Sequence, residues 1–178
     1  MKKLLSLLLL TSLITGCAEK AETFEASFED FYFVIKWGCN INQDSSYDSR
    51  TKELIKTKWV YETNAEDYVT KFEYPDMEKA YQSVKDININ SYPDEYNPYK
   101  ECDERMTPST QYYFEVNGKT IFSKDCLNYG YMNPATRVFP RGMSKKGRKY
   151  VIFLHEFINT IQASEEWKAL PDYELYYM

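Results

Sequence analysis

Residues 111–123 read Gln-Tyr-Tyr-Phe-Glu-Val-Asn-Gly-Lys-Thr-Ile-Phe-Ser, the clearest local signal in the chain. Two runs rich in β-branched and aromatic residues flank Asn117-Gly118. An Asn-Gly pair between such runs favours a two-residue type I′ turn, because both central positions need positive φ. The turn fixes the register: Val116 faces Lys119, Phe114 faces Ile121, and Tyr112 faces Ser123. A hairpin of this kind belongs in an antiparallel sheet.

Three more β segments precede it. Phe31, Phe33, Ile35 and Trp37 alternate with Tyr32, Val34 and Lys36, a period of two and hence a strand. Residues 46–60 read as a hairpin or as a turn followed by one strand. Tyr68 to Tyr74 is a further strand, stopped by Pro75. Met77, Ala80, Tyr81, Val84 and Ile87 then fall at helical spacing on one stripe. Pro93, Pro98 and Pro108 mark a long loop. Beyond the hairpin, residues 127–144 read as loop, and Lys149 to about Lys168 as a helix with Val151, Leu154, Ile158 and Ile161 inward. The order is β-β-β-α-β-β-α. It predicts an α+β domain, a mostly antiparallel sheet with two helices packed on one face.

Composition agrees with one domain. The chain has 178 residues, 43% hydrophobic and 17% aromatic, too aromatic for a disordered body. Its mean hydropathy of −0.61 excludes a polytopic membrane protein. Its one His argues against His-rich metal sites and His-based catalysis.

The N-terminus has a different logic. Lys2 and Lys3 precede an apolar run from Leu4 to Ile14, 11 residues long. That is short of the roughly 20 needed to span a bilayer, and it suits a signal-peptide core. Ile14-Thr15-Gly16-Cys17 follows. This resembles the lipobox of bacterial lipoproteins: an aliphatic residue, a small one, Gly or Ala, then Cys. The resemblance implies cleavage after Gly16 and a lipidated Cys17 at the mature N-terminus. It implies a partner, the lipid membrane, and a place at the cell membrane or outer membrane, facing the periplasm or the exterior. Residues 1–16 are then signal peptide, 17–30 the lipidated Cys with an acidic tether, and 31–178 the domain. Losing Lys2 and Lys3 moves the formal net charge from −5 to −7, which disfavours nucleic acid. Ser46-Tyr47-Asp48-Ser49 with Leu54, and Ser91 to Tyr96, resemble pieces of small bacterial envelope domains of unknown function, a likeness that transfers no site.

Each chemical motif has a plainer reading beside it. Outside the cytoplasm disulfides are permitted. Hairpin register extended past its open end brings Cys126 towards Cys102, which makes Cys102–Cys126 the first-choice bridge. Cys39 competes for either, and three reduced thiols are the other reading. His155-Glu156-x-x-Asn159 approaches the zinc motif His-Glu-x-x-His, but Asn159 stands where the second ligand belongs. His155 then reads as a histidine packed at the sheet boundary. Asn40, Asn42 and Asp44 begin like a calcium loop and depart from it at its first, sixth and twelfth positions. A polar turn is the default there. No metal and no cofactor is implied.

Two surface features stand out. Tyr92, Tyr96, Tyr99, Tyr129 and Tyr131 fall in expected loops, where rings stack on ligands or mark interfaces. Arg141, Lys145, Lys146, Arg148 and Lys149 form a basic loop without an acid, suited to anionic headgroups or an anionic envelope polymer. Together they describe a contact surface. The function expected is a non-enzymatic, membrane-anchored binding or structural module of the envelope. An inhibitor or immunity-type lipoprotein is the alternative. A hydrolase using paired carboxylates such as Glu101 and Asp103 ranks behind both.

Overall fold

The computed structural model describes residues 23–38, 45–60, 64–98, 111–124 and 143–171. Six strands form one sheet: β1 (Phe33–Gly38), β2 (Ser45–Asp48), β3 (Glu53–Val60), β4 (Asn64–Lys71), β5 (Gln111–Val116) and β6 (Lys119–Lys124). Their order across the sheet is β4-β3-β2-β1-β5-β6, and every neighbouring pair is antiparallel. Three helices accompany it: α1 (Met77–Ile87), α2 (Lys145–Gln162) and the short α3 (Glu165–Ala169), with a 3₁₀ turn at Ile89–Ser91. The class is α+β, as the element pattern requires.

The hairpin register is the expected one: Val116↔Lys119, Phe114↔Ile121 and Tyr112↔Ser123. Asn117 and Gly118 both have positive φ, 46° and 83°. The stretch 46–60 resolves into two strands joined by a turn at residues 49–52. Asp48 accepts from the Arg50 backbone N–H at 2.9 Å, and Lys52 takes φ of 58°, so the turn forms without glycine.

Two helix boundaries differ from expectation. Ser144 caps α2 by accepting from Gly147 N–H at 2.9 Å, so the helix starts at Lys145, four residues before Lys149. Residues 145–149 are therefore its first turn, and the basic segment is not a loop there. Buried Met143, Gly147 and Tyr150 pull this turn onto the body and outweigh the few tenths of a kcal/mol per residue that positive charge costs at a helix N-terminus. At the other end α2 stops at Gln162, and Ser164 caps α3 through Trp167 N–H at 3.1 Å.

Period-two alternation sorts the sheet into two faces. Phe33, Ile35, Trp37, Tyr47, Leu54, Tyr112, Phe114, Val116 and Ile121 point to one side and are buried. Ala80 and Val84 of α1 and Phe153, Leu154, Phe157, Ile158 and Ile161 of α2 join them in one core. Ring contacts knit the layers, with Phe33–Phe157 at 4.7 Å, Phe114–Phe153 at 4.9 Å and Trp37–Trp167 at 5.4 Å. Burial of such side chains contributes about 1.5–3 kcal/mol each and dominates the fold's stability.

The segment read as the second half of a free tether is docked. Phe24 and Phe28 pack edge-on against Tyr81 of α1, at 6.2 and 5.7 Å. Tyr81 Oη donates to the Ala26 carbonyl at 2.9 Å, and Asn90 Nδ2 donates to the Thr23 carbonyl at 3.3 Å. Residues 23–28, expected as tether, are thus packed against α1 and the 3₁₀ turn.

Candidate functional site

The second face of the sheet carries Val34, Lys36, Ser46, Asp48, Ile55, Val69, Tyr113, Glu115 and Phe122. Among the described residues, the ring contacts made by the helices reach only the first face. Strand register lays these side chains in two rows. Val34 stands between Asp48 and Glu115. One step along, Lys36 stands between Ser46 and Tyr113, Tyr113 faces Phe122, and Ile55 stands between Ser46 and Val69. Val69 is 57% exposed, and Val34 is buried beneath its neighbours.

A polar and aromatic cluster occupies the middle of this face. Arg50 donates to Asp48 through Nε at 3.1 Å and Nη2 at 2.8 Å, and its guanidinium lies 4.3 Å from the centroid of the Tyr32 ring. Tyr32 Oη and Tyr113 Oη both donate to Glu115, at 3.4 and 2.9 Å. Lys36 Nζ lies 5.5 Å from the centre of the Tyr113 ring. Burial pushes the Tyr113 hydroxyl up to about 12, with its hydrogen bond to Glu115 adding to the shift, so it remains a donor throughout the neutral range. For Asp48, partial burial raises the carboxyl, but the hydrogen bonds and charge of Arg50 outweigh it and hold the group below its ordinary value. The result is a fixed pattern of rings, one carboxylate bridge and two cations. Rings and charges of this kind have the chemistry for stacking and ion pairing.

The residues singled out from sequence lie elsewhere. Tyr92 is only 2% exposed, so it is a core residue and offers no contact surface. Tyr96 is half-buried and packs edge-on against Tyr92 at 4.9 Å and Tyr150 at 5.2 Å. Burial pushes the Tyr92 hydroxyl up to about 12. Lys146 joins these tyrosines, 4.3 Å from the Tyr92 ring centre. Lys145, Arg148 and Lys149 remain exposed on the first turn of α2. Cys17, Cys39, Cys102, Cys126, Tyr99, Tyr129, Tyr131, Arg141, Glu101 and Asp103 lie outside the described residues, and so does the Asn40–Asp44 motif. His155 is half-buried with its ring 6.0 Å from Tyr112, packed at the sheet boundary as its neighbours in sequence suggest.

Two further features were not foreseen. A groove of about 240 Å³ runs between α1 and α2, lined by Ser83, Asp86, Ile87, Lys149, Ile152, Phe153 and Glu156. Lys56, 1% exposed, donates to the carbonyls of Trp167 and Leu170 at 3.3 and 3.1 Å and lies over the Trp167 ring at 4.9 Å. It fastens the C-terminal end of α3 to the sheet, where positive charge suits the helix dipole. Among the described residues no group of three or more His, Cys, Asp or Glu is placed to hold a metal ion. None of their helices is long and apolar enough to cross a membrane.

No protein-family model matches the chain, and no curated protein matches it.

Proposed function

We propose that the protein is a lipoprotein anchored through Cys17 and acts as a non-enzymatic binding module of the cell envelope, its contacts made by the open face of the sheet. The observation that carries the reading is the opposition of the two layers. The described residues nearest Cys17 lie on the helix layer, where Phe24 and Phe28 pack on Tyr81 of α1. The ring and charge cluster of Tyr32, Lys36, Asp48, Arg50, Tyr113 and Glu115 lies on the other layer. A module held by its helix side offers that cluster away from its point of attachment. The partner suited to it is a protein surface with exposed rings and charges of both signs.

Photo-crosslinking in the native envelope tests this. A photoreactive residue at Val69 or Tyr113 should give a discrete protein adduct, and one at exposed Gln82 on α1 should not. Adducts only from the α1 position, or none from the sheet positions, would overturn the reading.

A further inference from the structure

The first turn of α2 and the root of the N-terminal segment sit at the same end of the molecule. Thr23 O accepts from Asn90 Nδ2 at 3.3 Å, and the next residue, Ser91, accepts from Lys146 Nζ at 2.5 Å. Two hydrogen bonds and one peptide step therefore join Thr23 to the basic turn. Lys85 belongs to the same end, because its Nζ lies 5.1 Å from the centre of the Tyr81 ring that holds Phe24 and Phe28.

We propose that this basic end, comprising Lys85, Lys145, Lys146, Arg148 and Lys149, docks on the anionic headgroups of the membrane that holds the anchor. The inference rests on the Cys17 anchor of the proposed function. Only residues 18–22 separate Cys17 from Thr23. Fully extended, that connection reaches roughly 20 Å. The Thr23 end is thus confined within roughly 20 Å of the bilayer surface, close enough for the basic turn to reach it, where attraction acts over a Debye length of about 8 Å at physiological salt.

Charge decides what this end does there. Lys145, Arg148 and Lys149 are exposed, and α2 has no acidic residue in its first turn. Asp86 and Glu156 share a groove with Lys149, and Glu25, Glu29 and Asp30 lie on the docked segment, so the basic excess is confined to the first turn of α2, where no acid stands. The helix gains nothing from this arrangement, since its own dipole opposes positive charge at the N-terminus. An anionic surface does gain from it, by about fivefold in occupancy per basic residue held close. Docked this way, the helix layer faces the lipid and the open sheet face points outward.

The test uses the mature lipidated protein in vesicles of phosphatidylcholine, alone or mixed with phosphatidylglycerol. Acylation by a water-soluble reagent is followed at each lysine by mass spectrometry. Lys145 and Lys149 should react several-fold more slowly in the anionic vesicles, and high salt should restore their rates. Lys36 on the open face should react equally in both. Equal rates at Lys145 in the two vesicles would overturn the proposal. So would slowing by soluble polyphosphate on neutral vesicles with none by anionic lipid, which would assign the end to a polymer. Intact mass reports the acyl chains on Cys17 separately. Protein without them ends both readings, whereas acylated protein with unprotected lysines ends only this one.

Discussion

The ammonium of Lys146 lies 4.3 Å from the centroid of the Tyr92 ring, and the Tyr92 hydroxyl donates to the Lys146 carbonyl at 3.3 Å. The pair closes the junction between the 3₁₀ turn at Ile89–Ser91 and the start of α2. Two residues that stand out in the sequence as surface features are each other's partners.

Their substitutions should differ sharply in cost. Tyr92→Ala empties a fully packed site and should lose about 3–5 kcal/mol. Tyr92→Phe removes one hydrogen bond and should lose about 1 kcal/mol. Lys146→Met keeps the aliphatic stem over the rings and should stay within about 1 kcal/mol of the parent. Urea denaturation of the three variants measures this directly. Near-equal losses for Tyr92→Ala and Tyr92→Phe would mean that the ring is not packed as described.

Gly147 makes the same junction possible. A Cβ there would lie 2.7 Å from the Pro98 carbonyl oxygen and 3.2 Å from Met143 Cγ. The closer contact is backbone and cannot swing aside. On helix propensity alone, Gly147→Ala should stabilise by about 1 kcal/mol. The clash should reverse that sign and lower Tm by several degrees. A raised Tm would show that Pro98 is free to retreat.

Stability should fall steeply in alkali. Burial pushes the hydroxyls of Tyr47 and Tyr92 up to about 12, and Tyr113 reaches the same value with help from Glu115. Tyr150, fully buried against Ser123, is raised as well. Each group keeps its proton in the folded state at a pH where the unfolded chain has lost it. The stabilisation is therefore complete below about pH 10 and is lost as pH climbs from there towards 12. Each such tyrosine removes at most about 1.4 kcal/mol per pH unit across that window. Asp48 acts at the acid end with the opposite sign: Arg50 holds its carboxyl low, so its contribution is present at neutral pH and is lost as pH drops below the ordinary Asp range near 4. Chemical denaturation at fixed pH steps, with tyrosine ionisation read near 295 nm, locates both limbs.

The hairpin at residues 111–124 was legible in sequence because Asn-Gly demands a backbone that few other pairs adopt, and register followed from the turn. The turn at 49–52 carries no such mark. Its positive φ falls on Lys52, and an Asp48 side chain does the work of a glycine, which left one strand or two undecided from pattern alone. The start of α2 was hidden by its own charge. Five basic residues over 141–149 read as solvated loop, whereas the signal that settles the boundary is a single hydroxyl, Ser144, with buried Gly147 and Tyr150 behind it.

The open face was legible in parity but not in its chemistry. Alternation along β1 places Val34 and Lys36 opposite the core residues. The Tyr32–Glu115 and Arg50–Glu115 contacts join residues 83 and 65 positions apart, and only the pairing of β1 with β5 brings them together. The tyrosines of the 92–96 segment were misplaced for a related reason. A proline-rich stretch has no period to reveal its inward side, and Tyr92 turns inward because the Asp94–Tyr96 backbone bonds along the outer edge of β6.

The orientation of both faces depends on the anchor at Cys17, and metabolic labelling with a radioactive fatty acid measures that anchor. The wild-type chain should carry the label and sediment with membranes, and Cys17→Ala should carry none and lose its retention by acyl chains. Label that persists on Cys17→Ala, or a wild-type chain that takes up none, would contradict the account.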